Sequence, residues 1–223
     1  MIEKVLHQPS WAKSAGKKSI ELYSRSVTAT RPVLMIGGVH GDEPEGVQLA
    51  QDLLHWLLKD NSVRRSWFLI PCLNVDGFAA QERTNGNGVD LNRNFPCPDW
   101  TSESKAARYY PGPHAASEPE VQALIQLITK IQPSLIIHFH SWQPCVVYTG
   151  SAGKKAAEIL GTPTGYEVKE DIGYPTPGSL GQYGWLIHQT PVICLEAQEG
   201  CALSSVWPTF GPGLRQLLTQ GES

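Results

Sequence analysis

Hydrophobic positions along the chain fall into short unbroken runs separated by periodic or polar stretches. The run Val33-Leu34-Met35-Ile36, closed by Gly37-Gly38, predicts a buried strand and a tight turn. Residues 44–58 repeat with helical spacing: Val47, Leu49, Ala50, Leu53, Leu54, Leu57 and Leu58 form one apolar stripe, and Pro44 suits the first turn. Trp67-Phe68-Leu69-Ile70 predicts the next strand, followed by a loop over 71–80. Residues 81–116 are long, irregular and rich in Asn, Gly and Pro, a length that usually signals function. A helix starts near Ser117-Glu118-Pro119-Glu120 and runs to 131. Strands follow over 134–139 and 146–148, then a helix over 151–160, a second Gly/Pro-rich loop over 174–184, a strand over 192–195, and a final helix over 206–218, whole or in two pieces. The first thirty residues read as an irregular arm with short strands at 19–23 and 26–29. Alternating helices and nearly all-apolar strands predict one α/β domain with a covered sheet, spanning 1–223, with its polar segments after the strands.

Composition narrows the function. The chain has 223 residues, 41% hydrophobic and 17% charged, too apolar for disorder. Lys plus Arg is 18 and Asp plus Glu is 21, so the net charge is −3 and offers nothing to nucleic acid or an anionic membrane. The five cysteines are odd in number and contain no CxxC pair, which argues against a disulfide framework. No apolar run is long enough to span a membrane, and the first residues carry no secretory pattern. A soluble, cytoplasmic protein is expected.

Four segments carry candidate chemistry. His40-Gly41-Asp42-Glu43 lies between a strand and a helix, where an imidazole and a carboxylate three apart can turn toward one cation. His138 and His140 alternate onto one face of a strand. His140, nearer the strand end, is the better ligand, and His138 reads as a supporting or core residue. His40, Glu43 and His140 together make a His₂Glu set with a position left for water, as catalytic zinc requires. Glu196 closes the apolar strand at 191–195, where a carboxylate is costly unless used. It is the candidate general base, with Glu199 as its rival. In Asp90-Leu91-Asn92-Arg93-Asn94-Phe95, the Arg93 fork and Asn92 suit a carboxylate, and Arg83 can face a developing oxyanion. No HExxH, GxSxG, GxGxxG or complete phosphate loop is present.

The ordered set of these segments resembles the zinc carboxypeptidase superfamily, within it most nearly the bacterial murein peptide amidases. The landmarks are Gly37 to Glu43, Asn74-Val75-Asp76-Gly77, Arg83-Thr84-Asn85, Asn87 to Pro96, Ser117 to Glu120, His140, Gly173 to Gly181, and Glu196. The resemblance implies a mixed, mostly eight-stranded sheet between helices. It implies one zinc held by His40, Glu43 and His140. Glu196 would be the general base and Arg83 the group that holds the oxyanion. Asn92 and Arg93 would clamp the substrate carboxylate, and Tyr174 would be the mobile-loop tyrosine. The implied substrate is a small murein peptide cut between γ-D-glutamate and meso-diaminopimelate. Three departures bear on specificity: Val75 stands where the family often has Pro, Ser141-Trp142 follows the last ligand in a way that resembles digestive carboxypeptidases, and Ala197 follows Glu196. The alternatives are an N-acyl amino acid deacylase of the succinylglutamate desuccinylase or aspartoacylase type, or a general metallocarboxypeptidase.

Overall fold

A computed structural model describes residues 4–26 and 31–220. Among the described residues eight strands form one sheet in the order β1-β2-β4-β3-β5-β8-β6-β7. They are β1 (Leu6–Lys13), β2 (Ser19–Arg25), β3 (Val33–Ile36), β4 (Trp67–Ile70), β5 (Leu135–Trp142), β6 (Cys145–Thr149), β7 (Glu167–Lys169) and β8 (Val192–Gln198). The centre, β4-β3-β5-β8, is parallel. The β1–β2 hairpin joins antiparallel to β4, β6 joins antiparallel to β8, and β7 runs parallel to β6. The sheet is therefore mixed and eight-stranded, as the resemblance implied.

The helices are α1 (Pro44–Lys59), α2 (Val75–Ala80), α3 (Pro119–Ile131), α4 (Lys154–Gly161), α5 (Leu180–Gln182) and α6 (Leu203–Thr219). Strand parity divides their work. Met35, Ile137, Phe139, Ile193 and Leu195 face α1, α4 and α6. Leu34, Ile36, Ile136 and Val192 face α3 and α5. The result is a three-layer α/β/α domain.

The chain leaves β3 for β4 on one side and later returns to β5 on the other. The crevice between β3 and β5 is thus the topological switch point, where ligands of such sheets collect. One close approach fixes the geometry there. A Cβ on Gly46 would collide with the Phe139 carbonyl, so only glycine lets the start of α1 lie against the end of β5.

Several boundaries differ from those predicted. The arm is an antiparallel hairpin whose register shifts between Gln8 and Ala12, and its β1 is mostly exposed and so lacks a hydrophobic signature. The expected strand at 26–29 lies outside the described residues apart from Ser26, which is not in a strand. The loop at 71–80 contains α2, whose N-terminus is capped by Asn74 accepting from the Gly77 N–H. The loop at 174–184 closes into α5 and a wide turn, with Ser179 capping the Gln182 N–H. Strands β5 and β8 run further than their apolar runs, to Trp142 and Gln198: the runs break at His140 and Glu196, polar groups of the site, while the pairing continues. The last helix is continuous despite Pro208 and Pro212.

Candidate active site

Residues even in number on β5 and β8 share the α3 face of the sheet. Near the base of that face they are hydrocarbon, Ile136 and Val192. Toward the C-terminal ends they turn polar: His138 and His140 on β5, Cys194 and Glu196 on β8. His40 reaches the same place from the turn after β3, and Glu43 from the residue before α1.

These side chains interlock. His40 Nδ1 is 2.7 Å from Glu43 Oε1, and His140 Nδ1 is 2.7 Å from Glu43 Oε2. The two Nδ1 atoms lie 3.0 Å apart. The opposite nitrogens have their own partners. His40 Nε2 is 3.0 Å from Asp90 Oδ1, and His140 Nε2 is 2.8 Å from His138 Nδ1. With each Nε2 proton directed at its partner, both Nδ1 lone pairs point at each other and at a carboxylate. Three electron-rich groups converging in a buried place repel unless a cation, proton or metal ion, sits among them. Two imidazoles and one carboxylate are the donor set of a catalytic zinc centre, and this cluster is consistent with one such ion.

Asp90 organises one flank. It is fully buried, accepts from His40 with Oδ1 and from Arg83 Nε with Oδ2 at 2.9 Å, and also accepts the Asn92 N–H. Burial alone would raise its pKa, but the His40 and Arg83 charges outweigh burial and hold it well below the usual range. Glu43 is likewise held low: burial opposes, and the two imidazoles prevail. Burial pushes the His138 pKa well down, with the neighbouring imidazoles acting in the same sense, so its ring stays neutral. Glu196 is pushed up, first by burial, and its Oε2 has no hydrogen-bond partner while Oε1 accepts from the Cys194 thiol at 3.2 Å.

These groups open onto a cavity of about 790 Å³. Arg83, Asn92, Arg93 and Tyr174 all line it. Arg83 Nη1 is 3.3 Å from Glu43 Oε1. Arg93 is buried, donates to the Asn92 carbonyl at 2.7 Å, and has no carboxylate partner among the described residues. Its charge is thus available to an anion. Asn92 accepts the Leu180 N–H with its side-chain oxygen, leaving its NH₂ for a ligand. The Tyr109 ring sits 5.2 Å from the Arg83 guanidinium carbon and 6.0 Å from that of Arg93. Tyr174 is 41% exposed and meets Trp142 edge-on at 5.5 Å. Gly178, at φ +66°, presses on the Arg93 carbonyl so closely that a Cβ would clash, and its own carbonyl accepts from the Phe95 N–H. The two irregular loops are tied together there.

The zinc carboxypeptidase family profile matches residues 10–174. That is about three quarters of the chain, and it includes the His40 turn, the Arg83–Arg93 loop and β5. The chain belongs to the zinc carboxypeptidase family. Within this family, murein peptide amidase A of Escherichia coli K12 is 35% identical over 161 residues, 67% of this chain and 64% of that protein. The chain thus matches somewhat less than two thirds of that relative's length. Murein peptide amidase A of Vibrio campbellii is 29% identical over 189 residues, 78% of this chain and 73% of that one. The crystal structure of the murein-tripeptide amidase of Escherichia coli O157 superposes with a TM-score of 0.78 at 28% identity, covering 98% of this chain and 93% of that one. Carboxypeptidase A of Helicoverpa armigera shares the fold, with a TM-score of 0.82 at 18% identity over 98% of this chain and 69% of that one.

The structure brings His40, Glu43, His140, Glu196, Arg83, Asn92, Arg93 and Tyr174 to one cavity. The rival base Glu199 also reaches its rim, but is exposed and lies beyond the end of β8. Sequence reasoning passed over Asp90 and Tyr109. Asp90 carried a signal, a carboxylate next to the apolar Leu91 in a polar loop. Tyr109 carried none, since its role depends on three arginines folding around it. Among the described residues no helix is long and apolar enough to cross a membrane.

Proposed function

We propose that this protein is a zinc-dependent amidohydrolase that cuts an amide bond beside a free carboxylate, and that its substrate is a murein peptide cut between γ-D-glutamate and meso-diaminopimelate. The observation that carries the reading is a buried His40–Glu43–His140 cluster in one cavity with an unpaired Arg93 and a Glu196 oxygen without a partner. Likeness to the murein peptide amidases supports the substrate. Five free cysteines suit a reducing compartment, and we place the reaction in the cytoplasm.

His40, Glu43 and His140 would hold the ion. When bound, zinc supplies a Lewis acid for the carbonyl and brings the pKa of a water toward about 7. Arg93, with the Asn92 NH₂, binds the substrate carboxylate and so sets which amide lies over the site. Glu196 takes the proton of the attacking water and returns it to the leaving amine; its burial-raised pKa suits both halves of that transfer. Arg83, fixed by Asp90 through Nε, presents its remaining N–H groups to the oxygen on which charge grows. Asp90 and His138 hold the two imidazoles with Nδ1 inward.

Incubation with L-Ala-γ-D-Glu-meso-diaminopimelate is expected to release free diaminopimelate, read by mass, while the C-terminally amidated peptide stays intact. A short match to an N-α-acetyl-L-2,4-diaminobutyric acid deacetylase, 37% identical over 79 residues, keeps a deacylase as the second reading. Turnover of N-acetyl diamino acids with an intact tripeptide would select it.

A further inference from the structure

Arg83, Arg93 and Arg108 surround the Tyr109 ring, their guanidinium carbons 5.2, 6.0 and 5.5 Å from its centroid. The first two have parts in the reaction proposed above, and Arg108 has none. Like charges held close together call for anions among them. Arg83 has Asp90 and Glu43. Arg93 is left for the carboxylate of the leaving residue. Arg108 donates from Nη2 to Asp42 Oδ2 at 3.2 Å, which uses one N–H of a group that carries five, and its side chain is exposed. The three are not equivalent along the cavity. Beside the main cavity lies a side hollow of about 430 Å³, and Arg83, Arg108 and Asp42 line both. Arg93, Asn92 and Tyr174 line the main cavity alone. A peptide whose terminal carboxylate lies on Arg93 and whose scissile carbonyl faces Arg83 therefore runs on toward Arg108 and the hollow.

We propose that Arg108 forms a second carboxylate subsite, on the acyl side of the scissile bond, and that it selects a glutamate joined through its γ-carbon with the α-carboxylate left free. In such a residue the free carboxylate stands at the end of a short aliphatic arm from the reacting carbonyl. In an α-linked peptide the backbone continues there as an amide, which brings no charge to Arg108. The subsite deepens the murein-peptide reading above and rests on it. One anion on each side of the amide then fixes its place over the site, so both halves of the substrate contribute to orientation. Asp42 anchors the guanidinium beforehand, so less freedom is lost when the ligand binds. Because Arg108 is exposed, water screens the contact. The expected effect is about 5- to 10-fold, below that of a fully buried pair.

The parent protein, Arg108→Gln and Lys105→Gln are each given L-Ala-γ-D-Glu-meso-diaminopimelate and its D-isoglutamine form, in which only the α-carboxylate of the glutamate is amidated. Lys105 is another cation of the cavity wall and serves as the control. Release of diaminopimelate gives the Michaelis constants. Calorimetry gives the dissociation constants of the acyl fragments, L-Ala-γ-D-Glu and L-Ala-γ-D-isoglutamine. The parent is expected to favour the free acid by about 5- to 10-fold in both measurements, with little difference in turnover number. Arg108→Gln loses that preference, and Lys105→Gln keeps it. Equal constants for acid and amide in the parent, a preference that survives Arg108→Gln, or one lost equally in Lys105→Gln would overturn the proposal. A tripeptide left uncut speaks against the reaction proposed above alone, because the preference between the acyl fragments and its dependence on Arg108 are still read by calorimetry.

Discussion

At the scale of single residues, the site separates holding the ion from doing the chemistry. His140→Ala removes a donor, and zinc per chain is expected to fall well below one; unchanged content would contradict the ligand assignment. Glu196→Gln keeps the shape of the side chain and should keep the zinc. It is expected to lose turnover by about 10² or more, the scale of acid–base catalysis, while exposed Glu199→Gln stays near the parent rate. The reverse result moves the base to Glu199. Arg93 is tested by its geometry. Arg93→Lys keeps the charge and loses the fork, so the Michaelis constant for a free-carboxylate peptide is expected to rise about 10-fold or more, from a charged hydrogen bond worth roughly 1.5–3 kcal/mol. An unchanged constant would remove Arg93 from carboxylate binding.

Between elements, the contacts that place the site are polar and long-range. Asp76 on α2 accepts the Gly16 N–H at 2.7 Å and pairs with Lys18, pinning the β1–β2 turn to the loop side of the sheet. Burial would raise its pKa, but the hydrogen bonds from Gly16, Ser14 and Lys18 prevail and lower it. A carboxyl lower in the fold than in the unfolded chain stabilises at pH above its unfolded value of about 3.9, and that contribution is lost as pH falls through the native value. Melting temperature measured from pH 6 to pH 2.5 should therefore fall less for Asp76→Asn than for the parent, with the variant less stable at pH 6 by about 1 kcal/mol. Equal slopes would mean the contact contributes nothing. Elements with strong apolar signatures, such as β3, α1, β4 and α3, were legible in the sequence almost to the residue. Those built on polar groups were not. β1 is exposed, α2 is six residues long and starts from an Asn74 cap, and the ends of β5 and β8 are the site itself. The residue types of the metal cluster could be read from His40-x-x-Glu43 and His140, but the Asp90 and His138 contacts behind them depend on which nitrogen faces which way, and sequence does not hold that.

Across the whole molecule, an ion at His40, Glu43 and His140 would link the turn after β3, the start of α1 and the end of β5. Its removal should therefore be felt as stability. Free zinc at 100 times its dissociation constant adds about 2.7 kcal/mol to the native state. For a chain of this size that corresponds to a rise of roughly 5–11 °C in melting temperature over chelated protein. Calorimetry with and without chelator measures it; coincident transitions would mean that no ion binds the native fold. The sheet order has a consequence for how such a protein comes to be made. His40 and Glu43 are three positions apart, yet the third donor lies 100 positions further along the chain, and Glu196 further still. A ribosome has therefore added 100 residues after His40 before a complete coordination sphere can exist, and β5 must first settle beside β3. An ion would therefore be selected only once β5 is paired with β3, and the concentration of free metal at that moment, rather than when His40 and Glu43 emerge, would decide which element is carried.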